Sequence, residues 1–301
     1  MSCAGWNCRG LGNPEAVREL GNFAKREAPA LLFVMETKIR AKRVEDLRAR
    51  LGFAGCFAID SEGLSGGLGL FWSSDVIVDV KNKSSDHIDC VVQKVDLSSP
   101  PWRFTGFYGA PRAENRHHSW RFLRTLHGIQ HDAWLVLGDF NETLYGSEHF
   151  SRSARPEWQM RAFREAVEDC GLQDLGWSGV PFTWDNRQTG EANVKARLDR
   201  ALANYDFMQR FEYSRVRHVS FVESDHCFVM VEISETLESN QRRGLNPFVM
   251  KICGKCIQNM ILLLERNGSR IMMARVYRVL SLHWASFRLS WAHGEVGSLG
   301  P

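Results

Sequence analysis

Hydrophobic and polar positions follow two rhythms along the first part of the chain, one with the period of a helix and one with the period of a strand. The stretch NPEAVRELGNFAKREAP predicts a helix, because its apolar residues share one face and Asn13, Pro14 and Pro29 suit a cap, a first turn and a stop. Similar spacing predicts helices at VEDLRARLGF, HSWRFLRTL and EWQMRAFREAVEDCGL, the last of which ends at Gly171.

Apolar runs of strand length lie between these helices. They occur at ALLFVMET, GGLGLFW, VIVDV, RFTGFYGAP and AWLVLGDFNET, and HIDCVVQKVD has the pattern of the return arm of a hairpin. FTWDN and ARLDRALAN complete a mixed series of strands and short helices. Strands outnumber helices and many are joined by hairpin-length loops, which predicts an α/β or α+β sandwich of two packed sheets flanked by helices. A purely parallel sheet fits less well.

The stretch SFVESDHCFVMVEI, residues 220–233, has the composition of a buried strand, yet Ser224, Asp225 and His226 interrupt it. Burial of a carboxylate and an imidazole is costly unless each group has a partner. The interruption is therefore either an exposed turn or a functional site.

Composition narrows the function only slightly. Lys and Arg total 38 and Asp and Glu total 35, and this net charge of +3 neither requires nor excludes a polyanionic partner. Eight scattered cysteines without a secretory signal indicate reduced thiols, and no apolar run has the length of a membrane helix. We expect a globular intracellular monomer with no membrane partner. A nuclear location is only a working assumption, because QRRGLN is too weak a basic cluster for a nuclear signal.

Polar side chains at strand ends are the candidate chemistry. Taken singly, Asn7 fits a turn, Glu36 a helix cap and Tyr108 a core aromatic, whereas Asp139 in GDFN is balanced between structure and function. Strand ends of a sandwich converge on one rim, so residues far apart in sequence can meet there. The whole set consists of Asn7, Glu36, Tyr108, Asp139, Asn141, Asp199, Asp225 and His226.

Eight motifs follow one another from Trp6 to about Ile233: WNCRGLGNP, METK, GGLGLFW, FYGAP, LGDFNE, FTW, RLDR and SDH. This series resembles the endonuclease/exonuclease/phosphatase superfamily, and more closely the endonuclease domain of plant LINE-type (non-LTR) retrotransposon polyproteins. The resemblance implies a DNase I-like, four-layer fold. It also implies a metal-dependent endonuclease that hydrolyses phosphodiester bonds in DNA, with nicking of duplex DNA as the expected outcome.

The resemblance implies a site for Mg²⁺ or Mn²⁺. Glu36 would be the main metal ligand, with Asn7 and Asp225 in or next to its coordination shell. Carboxylate and amide oxygens suit these hard cations, and a shielded phosphodiester needs such a cation for hydrolysis.

The other residues of the set receive roles around the phosphate. Asp139 would orient and help to deprotonate the attacking water, and Asn141 and Tyr108 would hold the phosphate. His226, oriented by Asp199, would bond to a phosphate oxygen. The resemblance leaves open whether Asp139 or His226 is the principal base.

Two further segments are candidates for contact with DNA. The segment PRAENRHHSWRF holds Arg112, Arg116, Arg121, His117 and His118. These side chains can contact phosphates near the cleft, although a solvated helix start is slightly favoured. Thr183 and Trp184 in FTW lie beside the bound strand in similar family members, although a Trp in an apolar run is more often core.

Two other patterns are interpreted as structural. Ser85-Asp86-His87 repeats the Ser-Asp-His tripeptide, but it lies between two strand-like runs and predicts a hairpin turn. Cys253 and Cys256 form a C-x-x-C pair with no second pair of ligands, so zinc is not expected.

The pattern changes after Ile233, where a polar, linker-like stretch begins. We predict one nuclease-like domain over 1–235 and a linker with a partly helical tail over 236–301. The proline that the family usually has two residues after SDH is Phe228 here, and no reverse transcriptase follows, so autonomous retrotransposition is not expected. The alternatives are a phosphatase or nuclease for RNA or abasic DNA that uses the same site, and a catalytically silent nucleic-acid-binding remnant.

Overall fold

The computed structural model describes residues 1–63, 65–129, 132–220 and 224–235. Its helices are α1 (Pro14–Glu27), α2 (Ala41–Leu51), α3 (Arg116–His127), α4 (Glu157–Asp169) and α5 (Tyr205–Arg210). Its strands are β1 (Ser2–Asn7), β2 (Leu31–Met35), β3 (Gly55–Glu62), β4 (Ser65–Trp72), β5 (Val76–Ser84), β6 (His87–Lys94), β7 (Trp102–Tyr108), β8 (Trp134–Asp139), β9 (His149–Phe150), β10 (Leu172–Asp174), β11 (Ser178–Gly179), β12 (Trp184–Asp185), β13 (Lys195–Ala196), β14 (Asp199–Asn204), β15 (Arg215–Val219) and β16 (Phe228–Glu232).

The strands form two large mixed sheets, which confirms the predicted sandwich. One sheet has seven strands in the order β11-β15-β16-β1-β2-β4-β3, and the other has six in the order β10-β14-β8-β7-β6-β5. The pairs β1–β2 and β7–β8 are parallel, and most other neighbours are antiparallel. A small third sheet joins β12, β13 and β9.

The central core lies between the two large sheets. Phe33, Leu70 and Val229 of the seven-stranded sheet belong to one buried cluster with Phe104 and Leu137 of the six-stranded sheet. At Gly106 the sheets approach so closely that a Cβ atom would lie 2.4 Å from the Phe33 ring. Burial of this apolar surface is the main source of the stability of the sandwich.

Helices cover the outer face of each sheet and complete four layers. Helices α1 and α2 pack on the seven-stranded sheet, where the rings of Phe23 and Trp6 both stack on Phe228. Helices α3 and α4 pack on the six-stranded sheet, where Trp120 stacks on Phe163. Each central strand is therefore buried on both faces, which explains why β2 and β8 are continuous apolar runs rather than alternating ones.

The structure corrects the prediction for residues 220–233. Strand β15 ends at Val219 and β16 begins at Phe228, so Ser224, Asp225 and His226 precede a strand instead of interrupting one. His226 forms an isolated β-bridge with Trp184. By contrast, Ser85 and Asp86 do form the turn of the β5–β6 hairpin, as expected.

Several predictions concern the C-terminal segment. All the described residues belong to one compact unit. The predicted helical tail, QRRGLN and the Cys253/Cys256 pair all lie outside the described residues. Among the described helices, none is long and apolar enough to cross a membrane.

Candidate active site at the rim of the sandwich

Strand ends from both sheets meet at one rim of the sandwich. Asn7 is the last residue of β1, and Glu36 directly follows β2, which runs parallel to β1. In the other sheet, Tyr108 ends β7, Asp139 ends the parallel strand β8, and Asp199 begins the antiparallel strand β14 beside them. The strand register therefore places these five residues at the same edge, as the sequence predicts.

The carboxamide of Asn7 joins the two sheets at this rim. Its Nδ2 donates to Glu36 Oε1 at 3.1 Å and to Asp139 Oδ2 at 3.0 Å. All three residues are buried. The two carboxylates therefore lie within hydrogen-bond distance of the same nitrogen atom, close enough to act on one phosphate.

The Glu36 carboxylate is held in its ionised form. It accepts hydrogen bonds from Tyr108 Oη at 2.9 Å and Arg9 Nη1 at 3.2 Å, and Lys38 Nζ lies 2.9 Å from Oε2. Burial opposes the charge, but the hydrogen bonds from Asn7, Lys38 and Tyr108 and the charge of Arg9 lower the pKa of Glu36 to about 2. The same carboxylate and burial raise the pKa of Tyr108, so its hydroxyl stays protonated.

His226 lies between two aspartates. Its Nδ1 is 2.8 Å from Asp199 Oδ2, and its Nε2 is 3.9 Å from Asp139 Oδ2. Burial alone would lower the pKa of His226, but Asp199 and Asp139 raise it above its ordinary value and favour the imidazolium. Burial and the Asp199 charge also raise the pKa of Asp139. The titrations of Asp139 and His226 are thus linked to each other.

The turn after β8 fixes the last members of the set. The backbone N–H of Asn141 donates to Asp139 Oδ1 at 2.8 Å, and its Nδ2 donates to the Gly109 carbonyl at 2.8 Å. Asn141 has a φ of 54°, in the left-handed region that asparagine tolerates better than most residues. Arg155 binds the Asn141 carbonyl. This turn orients the Asp139 carboxylate.

The predicted DNA contacts occupy different environments. Arg112 is exposed, whereas Arg116 is mostly buried and its Nη1 donates to Glu142 at 2.7 Å. Thr183 is buried, and its hydroxyl accepts from the Asp199 backbone N–H at 2.9 Å. These contacts indicate positioning roles for Arg116 and Thr183, and a contact between either residue and DNA stays a prediction.

Trp184 connects the FTW motif to the SDH motif. Its Nε1 donates to Asp225 Oδ2 at 3.0 Å, and the Arg9 guanidinium approaches the same oxygen with Nε at 3.3 Å. Ser224 Oγ donates to the Asn7 carbonyl at 3.2 Å and accepts from the His226 N–H at 3.1 Å. The structure therefore brings all eight residues of the predicted set to this rim, through contacts that the sequence does not specify.

Sequence reasoning missed three residues of this rim. Arg9 and Lys38 lie inside the motifs WNCRGLGNP and METK, but the sequence alone assigns neither a role, and Ser224 stands out only as part of the Ser-Asp-His tripeptide. The feature of the sequence that could have identified Arg9 and Lys38 is their position inside these motifs. A basic residue in a motif that also supplies a carboxylate or amide is a candidate for the ion pair that balances it.

Two sets of groups at the rim differ in their donor chemistry. Asp139, Asp199 and His226 offer ligand atoms that all lie within 4.8 Å of one another. However, the imidazole is already bound to Asp199 and carries a raised pKa, which suits proton transfer better than metal ligation. The set of Glu36, Asn7 and Asp225 offers oxygen atoms.

The oxygen set fits a hard divalent cation. Glu36 stays ionised, and within the described part of the chain Asp225 Oδ1 is buried and accepts no hydrogen bond. A buried carboxylate oxygen without a partner is an available ligand. Arg9 contacts all three residues of this set. Its backbone N–H donates to Asn7, and its guanidinium forms ion pairs with Asp225 and Glu36.

Comparisons with known proteins agree with this architecture. The model of the family described as Endonuclease/Exonuclease/phosphatase family matches residues 4–226. A 3′-5′ exonuclease (NExo) from Neisseria meningitidis is similar at 17% identity and a TM-score of 0.59, covering 78% of this chain and 100% of that one. A search of curated protein sequences gave no match.

Two further solved structures are similar at comparable identity. One is the endonuclease domain of TRAS1, a telomere-specific non-LTR retrotransposon, at 16% identity and a TM-score of 0.55, covering 77% of this chain and 97% of that one. The other is the AP endonuclease LMAP from Leishmania major, at 14% identity and a TM-score of 0.59, covering 77% and 87%. At these identities the likeness shows the fold, and the TRAS1 domain agrees with the resemblance to retrotransposon endonucleases.

Proposed function

The chain belongs to the endonuclease/exonuclease/phosphatase family, and we propose that it is a metal-dependent endonuclease that nicks DNA by hydrolysis of phosphodiester bonds. We infer an origin in a non-LTR retrotransposon from the motif series. The observation that carries the proposal is the Asn7 carboxamide, which contacts the Glu36 carboxylate on one side and the Asp139 carboxylate on the other. The acid proposed to bind the metal and the acid proposed to accept the proton thereby contact one and the same nitrogen atom.

In this proposal Glu36, Asn7 and Asp225 hold the divalent ion. A bound Mg²⁺ or Mn²⁺ ion would supply Lewis-acid stabilisation of the charge that grows on the phosphoryl oxygens. Tyr108 donates to Glu36 and keeps this carboxylate oriented, so we assign it a positioning role here. Its direct contact with the phosphate stays a prediction.

Asp139 is the proposed base. Both of its oxygens are oriented, Oδ2 by Asn7 and Oδ1 by the Asn141 N–H, and the carboxylate can accept the proton of an attacking water. His226 is the proposed donor to a phosphate oxygen, because Asp199 binds its Nδ1 and the raised pKa keeps a proton on Nε2 near neutral pH. Asn141 would hold the phosphate beside them.

Nicking of supercoiled plasmid by the full 301-residue chain tests the proposal. We expect relaxation with Mg²⁺ and none with EDTA. The variants Asp139→Asn and His226→Ala should lose about 10²–10⁴-fold in rate, the usual contribution of a general acid or base. Full activity of either variant would contradict the assignment of these roles.

The two Ser-Asp-His tripeptides supply a matched pair of variants. Asp225→Asn removes a proposed metal ligand and should cost about 10–100-fold in activity, by analogy with changes around other metal sites. Asp86→Asn makes the same chemical change in the exposed β5–β6 turn and should leave activity unchanged. Equal effects of the two substitutions would count against the proposed site.

The same assay separates the alternatives. Cleavage only of a soluble phosphomonoester would favour a phosphatase, and cleavage only of abasic DNA or of RNA would favour a different nuclease specificity. DNA binding without cleavage would favour a silent nucleic-acid-binding remnant. The monomeric state and the nuclear location stay predictions that this assay does not address.

A further inference from the structure

Arg9 contacts every residue that is proposed to hold the divalent ion. Its Nη1 lies 3.2 Å from Glu36 Oε1 and 3.3 Å from Oε2, and its Nε lies 3.3 Å from Asp225 Oδ2. Its backbone N–H donates to Asn7 Oδ1 at 3.2 Å. A φ of 52° places Arg9 in the left-handed region, and this backbone geometry directs one residue to all three partners.

The guanidinium stands between two carboxylates that would otherwise repel each other. The Glu36 side chain is 8% exposed and the Asp225 side chain 20% exposed, so water screens their charges only in part. Lys38 is also bound to Glu36. Within the described residues, however, Arg9 is the cation that forms an ion pair with both carboxylates.

Arg9 is also the member of this cluster with the most open route to solvent. Its side chain is 47% exposed, against 29% for Lys38. A long side chain at this exposure can leave its ion pairs at a small cost, because water replaces the hydrogen bonds that it loses. The Arg9 guanidinium therefore neutralises the two carboxylates and can also move away from them into solvent.

We propose that Arg9 is the built-in counter-ion of the Glu36–Asp225 pair, and that its guanidinium must leave these carboxylates when a divalent cation binds them. The inference rests on the proposed metal site. Its physical basis is that the Arg9 guanidinium occupies the carboxylate oxygens to which the divalent ion would bind. Two positive charges this close together repel each other strongly. Arg9 thereby sets the concentration of Mg²⁺ that the enzyme needs.

Two other roles for Arg9 predict different behaviour. If Arg9 only contacts DNA phosphates, its removal should weaken DNA binding and leave the affinity for metal unchanged. If Arg9 only orients the ligands, its removal should weaken metal binding. The counter-ion role alone predicts that metal binds more tightly when the positive charge is absent.

Direct measurement of Mn²⁺ binding distinguishes these roles without an activity assay. The electron paramagnetic resonance signal of free Mn²⁺ gives the dissociation constant for the full chain and for Arg9→Ala, Arg9→Gln, Glu36→Gln and Arg50→Ala. Arg9→Gln keeps a hydrogen-bonding side chain without charge, and Arg50→Ala removes an exposed arginine of α2. We expect both Arg9 variants to bind Mn²⁺ about tenfold more tightly than the wild type, equivalent to about 1.4 kcal/mol.

Thermal unfolding supplies a second readout. Without metal, both Arg9 variants should melt at a lower temperature than the wild type, since the two carboxylates lose their shared cation. Saturating Mn²⁺ should raise the melting temperature more in the Arg9 variants than in the wild type, because tighter binding to the folded state stabilises it more. Arg50→Ala should match the wild type in both respects.

The outcomes separate this inference from the proposed function. Unchanged or weaker Mn²⁺ binding in both Arg9 variants, with a wild type that binds Mn²⁺ and nicks plasmid, would overturn the inference and leave the function standing. Failure of both variants to fold would also overturn it, since a displaceable counter-ion is not needed for folding. Absence of Mn²⁺ binding and of nicking in the wild type would overturn the proposed function and this inference together.

Discussion

The protonation of Asp139 and His226 is set by what surrounds each of them at the rim. Both groups are buried and 3.9 Å apart, and the pKa of each is raised above its ordinary value, which is 3.8 for Asp139 and 6.5 for His226. The base Asp139 must be ionised and the donor His226 must be protonated. Activity therefore requires a pH above the raised pKa of Asp139 and below the raised pKa of His226. We therefore expect a bell-shaped dependence of kcat/KM on pH, with limbs that belong to the coupled pair.

Asp199 supplies the charge that keeps His226 protonated, and Asp199→Asn tests this role. Loss of that charge lowers the pKa of His226, so the alkaline limb of the nicking profile should move to lower pH while the variant stays folded. Nicking rates across the pH range check this, with Asp86→Asn as the control whose profile should not move. An unchanged alkaline limb in Asp199→Asn would contradict the role of His226 as the proton donor.

At the residue scale, the sequence predicts which side chains reach the rim but not the atoms that they contact. All eight residues of the set can be found, because each lies within three residues of the end of a strand. The environments of Thr183 and Arg116 could not be predicted. Thr183 accepts from a backbone N–H of β14, and Arg116 pairs with the buried Glu142. Such partners depend on tertiary packing that leaves no local pattern in the sequence.

At the scale of elements, the end of β8 depends on a glycine. Gly138 has a φ of 157°, and a Cβ atom there would lie 1.9 Å from the Phe107 carbonyl oxygen of the neighbouring strand β7. A side chain at this position must therefore push the two strands apart. Because Asp139 is the next residue, this displacement moves the proposed base directly.

Gly138→Ala should consequently affect both stability and activity. We expect a loss of about 1–3 kcal/mol in the free energy of unfolding, the usual cost of overpacking, and a decrease in nicking that persists where the variant is fully folded. Urea denaturation and the plasmid assay measure the two effects. Gly146→Ala is the matched control, because open space surrounds that glycine and its substitution should be neutral. Equal stability of the two variants would contradict the close approach of β7 and β8.

The four longer helices and most of the longer strands follow from the sequence, whereas α5, β1, β3, β15 and most of the short strands are not among its predictions. The apolar signal is weakest in β3 and β15. Helix α1 begins after the Asn13 cap and has Val17, Leu20 and Phe23 on its buried face, as the spacing predicts. Strand β3 is half-exposed along much of its length, and β15 alternates exposed or half-exposed arginines with buried Val216. Their polar positions hide the apolar signal, although the alternation in β15 is a period-two pattern that a strand would give.

At the scale of the whole molecule, a largely buried ionic cluster joins the loop after β8 to strands β10 and β14 of the six-stranded sheet. Arg200 donates to Asp174 at 2.7 Å and to Glu148 at 2.9 Å, and Arg197 binds the same two acids at 2.8 and 2.9 Å. Glu148 lies in the loop after β8, whereas Asp174 ends β10 and Arg200 belongs to β14. Two positive and two negative charges therefore balance where three segments of the chain meet.

Removal of Arg200 should destabilise the fold strongly. Arg200→Ala leaves two mostly buried acids with one arginine, and we expect a loss of about 3–5 kcal/mol in the free energy of unfolding. Arg152→Ala removes an exposed arginine that pairs with exposed Glu191, and it should change stability by less than about 0.5 kcal/mol. Urea denaturation of both variants measures the difference. Similar values for the two would show that the cluster contributes little.

The same cluster predicts how stability depends on pH. Burial opposes ionisation, but the arginines lower the pKa of Glu148 below 4.5 and that of Asp174 below 3.8. An acid whose pKa is lowered by folding stabilises the protein. This contribution is fully present at a pH above the ordinary pKa of the acid, and it is lost as the pH falls through the lowered pKa. The wild type should therefore lose stability in acid, and Arg200→Ala should lose less over the same range.

The last described strand in the sequence, β16, determines where the folded domain can end. Strand β16 lies between β1 and β15, and the Met1 and Ile233 backbones donate to each other's carbonyls at 3.2 and 2.7 Å. A fragment of residues 1–235 keeps this strand, so we expect it to fold and to nick plasmid at the rate of the full chain. A fragment of residues 1–226 contains the whole family match but lacks β16, which leaves β1 and β15 without their shared neighbour. It should fail to fold, as judged by circular dichroism and thermal unfolding.

If the 1–235 fragment also failed to fold while the full chain folded, residues 236–301 would belong to the nuclease domain and the predicted boundary near residue 235 would be wrong.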